Sequence, residues 1–530
     1  MRRLTWLTLV LAATAASGLA ADTPSRAVGI PAGFDAYVTG VMKGFEVPGL
    51  SVAVVKDGRV LLARGYGVRR LGEPAPVDAA TLFGIASNTK VFTAVALALL
   101  VEEGRVEWDA PVVRYLPAFQ MWDPWVTREL TVRDLLVHRS GLGLGAGDLL
   151  WWPPSTYDRA EIARRLRYLQ PATSFRSAYA YDNVLYLVAG RVLEAVSGRS
   201  WEDFVSTRIL RRVGMEESNV SHSLAAVGDN VATPHAPVDG AVRPIAPFTS
   251  DNTNPAGGIN SSAADMARWL TVLLAHGRLA DGSRLYSEET AQALETIVTP
   301  IPIHALPPGA PSELAALRPQ FLGYGLGLEI AEYRGHEIVR HSGALPGYVS
   351  RVLRVPDVGL GVAVLTNQES TDAYQAIVQR LVDHFVCAPS TDWLGVFQKL
   401  RAWRTAREAQ AERRTAAHRD ATSRPSLALA GYAGTYRDDW YGDVTVALED
   451  GRLVLRFSHT PSLVGDLEHW QHDSFVARWR DRELRADAFV WFALDPDGRV
   501  EQVRMRPVSS ATDFSFDFQD LSLKPAPPSP

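Results

Sequence analysis

The sequence predicts an α+β fold: an antiparallel sheet flanked by helices, with a helical subdomain, followed by a small antiparallel β-barrel domain. Three observations predict it. Residues 49–67 alternate apolar and polar around the turn signal Lys56-Asp57-Gly58, which reads as a β-hairpin. Far downstream, three β-rich runs at 337–341, 349–355 and 360–366 are separated by Leu345-Pro346-Gly347 and Pro356-Asp357, as in an antiparallel meander. Strands at both ends of a long helical stretch imply one sheet closed by distant segments, in place of a βαβ array. From Gly431 the texture changes to short strands with turns such as Glu449-Asp450-Gly451 and Asp495-Pro496-Asp497-Gly498, the spacing of a small barrel or sandwich.

In chain order, residues 1–21 are expected to be an export signal. Arg2 and Arg3 give a positive start, residues 4–16 an apolar run, and Gly18-Leu19-Ala20 a small-residue cleavage site. The apolar run is shorter than the ~18 residues a membrane helix needs, and no later run reaches that length. No cysteine borders the cleavage site, so no lipid anchor is expected, and the product is expected to be soluble and exported, periplasmic or secreted. A first domain follows over 22–390. Its most apolar helix begins at about Ser87, carries Val91, Ala94, Val95, Leu97, Ala98 and Leu100, and stops at Gly104. Residues 105–320 hold helical stretches between Gly/Pro-rich loops, then come the meander and a helix over about 373–385. Residues 391–425 read as a helical linker, the barrel spans 426–524, and the proline-rich 525–530 reads as a disordered tail.

Composition narrows the function. The 530 residues are 47% hydrophobic and 21% charged, ordinary globular material, and a net charge of −5 provides no field to recruit nucleic acid. The single cysteine, Cys387, excludes a disulfide framework and a cysteine zinc site. Only five of the 54 basic residues are lysines. A lysine kept in so arginine-rich a chain is informative where a base is needed, because arginine does not deprotonate.

Three short motifs carry candidate chemistry. In Ser87-Asn88-Thr89-Lys90 a serine and a lysine stand one helical turn apart on one face, at a helix start that favours developing negative charge. The apolar helix body desolvates the lysine and lowers its pKa, so it can take the proton of a serine alcohol; by itself the pair equally suits a solvated helix start. In Tyr181-Asp182-Asn183 the phenol is expected to ionise more easily beside a cationic lysine, and the amide can orient substrate or lysine; the alternative is a buried aromatic with a loop-capping asparagine. His341-Ser342-Gly343 is expected at a strand end, where the glycine permits close substrate approach and the N–H of Ala344 faces an oxyanion beside that of Ser87; the alternative is a plain strand-end turn.

The order Ser87-x-x-Lys90, Tyr181-x-Asn183, His341-x-Gly343 resembles the serine β-lactamase and penicillin-binding-protein superfamily, in its class C β-lactamase-like branch with D-aminopeptidases, D,D-carboxypeptidases and family VIII esterases. Supporting segments are 83–90, 135–142, 257–262 and 347–367, and the resemblance covers roughly residues 35–388. It implies that Ser87 is the acylated nucleophile and that Lys90 and Tyr181 are the proton-transfer pair. It further implies that Asn183, His341, Ser342 and Gly343 contact substrate, and that the Ser87 and Ala344 N–H groups form the oxyanion hole. His341 stands where β-lactamases usually carry lysine, which disfavours efficient β-lactam hydrolysis and suits hydrogen bonding to a carboxylate or polar amide end. The C-terminal segment resembles the lipocalin-like barrel appended to some of these enzymes. The implied activity is hydrolysis of peptide amides, D-amino-acid peptides among them, through an acyl-enzyme. Alternatives are a carboxylesterase, a peptide-cyclising enzyme or transpeptidase, and a slow-turnover penicillin-binding protein. The expected partner is a small peptide, amide or ester, with no nucleic acid and no integral membrane segment; oligomeric state is not readable.

Other signals are set aside. In His336-Glu337-Ile338-Val339-Arg340-His341 the histidines are five apart in a strand-like run and point to opposite faces, so no metal is expected, and no organic cofactor either. The alternate glycines Gly141, Gly143, Gly145 and Gly147 lack a phosphate-loop spacing and read as a flexible active-site loop, with Trp151-Trp152 as wall or lid. The arginine-rich stretch 401–419 interleaves Glu408 and Glu412 and reads as a solvated connector face.

Overall fold

The computed structural model describes residues 29–225 and 228–527; the expected export signal, residues 1–21, lies outside them. Helix α1 (Phe34–Phe45) leads into the hairpin of β1 (Gly49–Lys56) and β2 (Arg59–Gly67). A 3₁₀ turn over Ala86–Thr89 opens α2 (Lys90–Glu102), and α3 (Val184–Ser197) and α4 (Ala263–Leu274) are the other long helices before the chain returns to the sheet. It returns through β3 (Thr299–Pro300), β4 (Leu322–Tyr324), β5 (Glu329–Tyr333), β6 (His336–Leu345), β7 (Tyr348–Val355) and β8 (Leu360–Thr366), then α5 (Thr371–Phe385). The sheet is antiparallel in the order β2-β1-β8-β7-β6-β5-β4-β3. Leu50 on β1 stands opposite Thr366 on β8, so the first and last long strands of the domain are neighbours.

Both sheet faces are covered, which is why β1, β7 and β8 are near-continuous apolar runs. Alternate residues divide between two cores: Val52 and Val54 pack under α1 and α5, whereas Ala53 and Val55 face α2, α3 and α4. Helix α2 is buried on every side from Lys90 to Leu100, as an apolar-all-round helix must be.

Two local expectations shift. The helix expected from Ser87 begins as a 3₁₀ turn, because Ala86 sits at φ 51°, in the left-handed region that a non-glycine residue adopts at a cost. The strand carrying His341-Ser342-Gly343 does not end there: β6 stays paired to β7 as far as Leu345 opposite Tyr348. Its pairing to β5 stops at Arg340 opposite Glu329, so residues 341–345 keep one open edge.

The connector is helix α6 (Trp393–Ala417). Residues 401–419 are largely exposed, as expected, whereas the first turn is anchored: Trp393, Val396 and Phe397 join the core under α1 and α5, and the Trp393 indole N–H donates to Asp383 at 2.7 Å. The barrel follows as β9 (Gly434–Asp438), β10 (Gly442–Glu449), β11 (Arg452–Phe457), β12 (Val464–Gln471), β13 (Ser474–Trp479), β14 (Ala488–Leu494), β15 (Val500–Pro507) and β16 (Lys524–Pro525). Neighbours pair in sequence, β16 adds to β9, and reciprocal bonds between Val503 and Leu523 close the ring. Pro525 and Ala526 are therefore not a frayed tail: Pro525 pairs with Tyr436, and the Ala526 N–H donates to Thr435 at 2.8 Å, because the chain end is used to close the barrel. No helix among the described residues is long and apolar enough to cross a membrane.

The barrel is clamped to the first domain at several points. Arg485 holds Glu369 at 2.6 Å, the Thr156 N–H donates to His459 at 2.9 Å, and Tyr157 stacks on His459 with ring centroids 4.0 Å apart. Truncating Trp393 deletes a large buried side chain and one hydrogen bond to Asp383, which keeps the Tyr333 hydroxyl and Arg334 as partners. Trp393→Ala is expected to lower unfolding stability by about 3–5 kcal/mol, whereas Arg413→Ala, on the exposed part of α6, stays within about 0.5 kcal/mol. Urea denaturation checks this; equal midpoints for the two variants would show that the connector is not part of the core.

Candidate active site

The turn that presents Ser87 is pinned from three sides. The Ile85 N–H donates to Ile259 at 3.0 Å, the Ile259 N–H donates to the Thr89 hydroxyl at 3.1 Å, and the Asn88 amide donates to Ser350 at 2.8 Å. Gly343 meets this turn edge-on. A Cβ there would lie 2.1 Å from the Ile85 carbonyl oxygen and 2.9 Å from Ala86 Cβ, so only glycine lets β6 come this close. Ser87 stays half-exposed while its neighbours are buried.

Lys90 is fully buried and donates to three acceptors: Ser87 Oγ at 3.0 Å, Asn183 Oδ1 at 2.7 Å and the Ala256 carbonyl at 3.1 Å. Burial draws its pKa down to about 7, against the opposing pull of Asp148 and Asp182. Tyr181 lies with its ring centroid 4.9 Å from Lys90 Nζ. Its phenol does not ionise more easily, as the sequence reading expected: burial pushes its pKa well above the usual value, and a hydrogen bond with Ser87 offsets this only in part. Among these two groups the lysine is the one tuned toward neutral pH.

His341 is buried and neutral, its pKa pulled down to about 3 by burial and by the nearby Lys90 charge. Its Nδ1 lies 2.6 Å from the Ser342 carbonyl, which can only accept, so Nδ1 carries the hydrogen. Nε2 is then the acceptor for the Tyr324 hydroxyl at 2.8 Å. Both ring nitrogens are engaged inside the protein. His336, the other histidine of that run, bonds to Asp357 and stands apart.

The sequence reading missed Asp148, Tyr324 and the C-terminal loop 508–521. Asp148 is fully buried and accepts from Trp151 Nε1 at 2.8 Å, Asn183 Nδ2 at 2.9 Å and the Ser515 hydroxyl at 2.8 Å. A continuous chain therefore runs from Ser515 on the barrel through Asp148 and Asn183 to Lys90 and Ser87. Burial pushes the Asp148 carboxyl up to about 7, and its three donors act in the opposite direction. A buried aspartate followed by Leu149-Leu150 was a usable sequence signal; the loop gave none, because only tertiary docking brings it here.

The glycine-rich segment is a docking bed, not a flexible loop. Gly147 N–H donates to Asp517 at 2.7 Å, and Gly145, at φ 67°, would drive a Cβ to 2.6 Å from the Phe514 ring. Phe514 in turn packs edge-on against Tyr181, centroids 6.1 Å apart. The result is a cavity of about 290 Å³ walled by Ser87, Tyr181, Asn183, residues 341–345, Trp151, Trp152, Tyr324 and, from the barrel, Phe514 and Ser515.

A two-core α+β sheet domain holding this serine–lysine cleft is the fold of the β-lactamase-type serine hydrolases. The chain belongs to the Beta-lactamase family, whose model matches residues 34–384, and it is an enzyme of that serine-hydrolase class. Residues 418–525 match a second family, described as a domain of unknown function, DUF3471. Unguisins hydrolase ungD of Aspergillus violaceofuscus is 28% identical over 499 residues, covering 88% of this chain and 86% of that protein. The D-aminopeptidase of Gluconobacter oxydans is 28% identical over 347 residues, covering 63% of this chain and 59% of that one. The octameric penicillin-binding protein homologue from Pyrococcus abyssi shares the fold with a TM-score of 0.58, at 22% identity over 92% of this chain and 98% of that chain.

Gly145→Val puts a branched side chain where Phe514 now lies. It is expected to dislodge loop 508–521 and to raise chymotryptic cleavage after Phe514, Phe516 or Phe518 at least ten-fold, read by mass spectrometry of the fragments. Cleavage at the wild-type rate would show that the loop is held by something other than this bed.

Proposed function

We propose that this protein is an exported serine hydrolase that cleaves peptide amides, D-amino-acid peptides among them, through an acyl-enzyme on Ser87. The observation that carries the reading is the buried Lys90 with its three acceptors. In the neutral amine two N–H groups satisfy Asn183 and the Ala256 carbonyl, and the lone pair is left for the Ser87 hydroxyl. Ser87 Oγ attacks the carbonyl carbon as its proton passes to Lys90. The backbone N–H groups of Ser87 and Ala344 receive the oxyanion. The proton then reaches the leaving amine through the neutral Tyr181 phenol, the C–N bond breaks, and water attacks the acyl-enzyme with the same groups acting in reverse.

Gly343 and Ser342 border the substrate on the open edge of β6, and Asn183 orients both Lys90 and substrate. Membership of the Beta-lactamase family and likeness to a D-aminopeptidase support this substrate class. The barrel is taken as a lipocalin-like module that borders the site, a reading supported by the contacts of Phe514 and Ser515. Export rests on the composition of residues 1–21.

The test is intact-mass analysis of wild type and Ser87→Ala during incubation with a D-Ala-D-Ala peptide, a D-amino-acid amide, a p-nitrophenyl ester and a penicillin, with product release followed in the same tubes. The expected result is a Ser87-dependent adduct with turnover of the amides. Lys90→Ala is expected to slow acylation by about 10³-fold or more. The base form of Lys90 grows as pH rises, so the acylation rate is expected to climb through a midpoint near 7 and level off above it. Adduct formation on Ser87→Ala, or a rate independent of pH between about 5.5 and 8.5, would overturn the assignment.

A further inference from the structure

A second cavity, of about 560 Å³, lies between the two domains. Its wall is mostly apolar: Ile245, Phe248 and Pro346 come from the first domain, and Pro461, Leu484 and Phe516 from the barrel domain. Trp152 joins the two sets. Its ring stacks on Phe248, centroids 5.5 Å apart, and meets Phe516 edge-on at 6.3 Å. The Arg485–Glu369 pair that clamps the barrel also lines this space, so the cavity exists only with the barrel docked. A recess of this size is in the range that holds a small ligand, and apolar surface of this extent left facing water marks a binding site.

Its place in the fold says what would enter it. Trp152, Ala344, Leu345, Thr371 and Asp513 line both this cavity and the one that holds Ser87, so the two are continuous. Ala344 carries the N–H assigned to the oxyanion, and Pro346 follows two residues on, roughly 7 Å away at the strand rise. An extended peptide advances by about the same amount per residue. With its reacting carbonyl at Ser87, a residue two positions from the scissile bond therefore reaches the space between the domains. Charge narrows the occupant further. The Arg485 guanidinium is committed to both oxygens of Glu369, at 2.6 and 2.7 Å, whereas Asp481 and Asp513 line the cavity with no ion pair among the described residues. Such a lining suits an apolar side chain and opposes an acidic one.

We infer that the cavity between the domains is the subsite for a bulky apolar residue of the substrate two positions from the scissile bond, so that the docked barrel makes the enzyme select extended peptides carrying such a residue. This rests on the hydrolase reading above for what the ligand is, but its test does not depend on turnover. Calorimetric binding to Ser87→Ala would be measured for two peptide series, N-acetyl-Xaa-D-Ala-D-Ala and N-acetyl-D-Ala-D-Ala-Xaa, with glycine, phenylalanine or glutamate as Xaa.

In one series the phenylalanine peptide is expected to bind at least ten-fold tighter than the glycine peptide, and the glutamate peptide no tighter than glycine. The series that shows it tells the acyl side of the scissile bond from the leaving side. Leu484→Trp, which fills the cavity from the barrel, is expected to cut the preference below three-fold. A second readout needs no filled variant to fold: p-benzoylphenylalanine in the favoured position, irradiated on Ser87→Ala, is expected to crosslink to fragments holding Ile245, Pro346, Leu484 or Phe516. Equal binding of phenylalanine and glycine peptides in both series, including no detectable heat from any of them, would overturn the inference. Crosslinks confined to other parts of the chain, or a preference that survives in folded Leu484→Trp, would do the same. Separately, p-nitrophenyl acetate turnover by the Ser87 protein reports on the hydrolase reading, so the two failures are distinguishable.

Discussion

Burying one lysine is the constraint on which the rest of this structure depends. Lys90 stands at the first turn of a helix that is apolar on every side, and it is fully buried. Such a group is tolerable only if every N–H finds an acceptor; its own turn supplies one and two distant segments of chain supply the others. The same burial depresses its pKa from the ordinary 10.5 to about 7. Between those values the unfolded chain holds a proton at this position that the folded chain does not. This group alone therefore makes stability rise with pH across that window and is a full burden below it. A stability penalty of this sign is what an amine tuned to act as a base entails.

The surrounding architecture can be followed outward from that amine. Ala86 accepts a left-handed backbone in the turn that sets the half-exposed Ser87 against Lys90. Gly343 gives up its side chain so that β6 can press against the same turn. Asn183 is held in the one orientation that points its oxygen at Lys90, because Asp148 takes its N–H, and Asp148 is in turn held by Ser515. The barrel is thus part of the site's inner construction. It is clamped to the first domain at Glu369, Thr156 and Tyr157.

Much of this was legible in the sequence. The hairpin, the meander and the apolar helix follow from periodicity, and Ser87, Lys90, Tyr181, Asn183 and His341 all line or border one cavity. What was not legible depends on tertiary approach. The ease of ionising Tyr181 was misjudged because burial outweighs a neighbouring charge. Gly145 and Gly147 looked like a flexible loop because the sequence does not reveal that Phe514 and Asp517 pack against them.

With only five lysines in the chain, the central claim is open to direct measurement. Protein carrying ¹⁵Nζ-lysine would be titrated by NMR from pH 5.5 to 10.5, with the Lys90 signal identified by its loss in Lys90→Arg. A midpoint near 7 for that signal, with the exposed Lys399, whose pKa the hydrogen bond to Glu313 raises, titrating far above it, is the predicted result. A Lys90 that keeps its proton to pH 9.5 would contradict the account at its base.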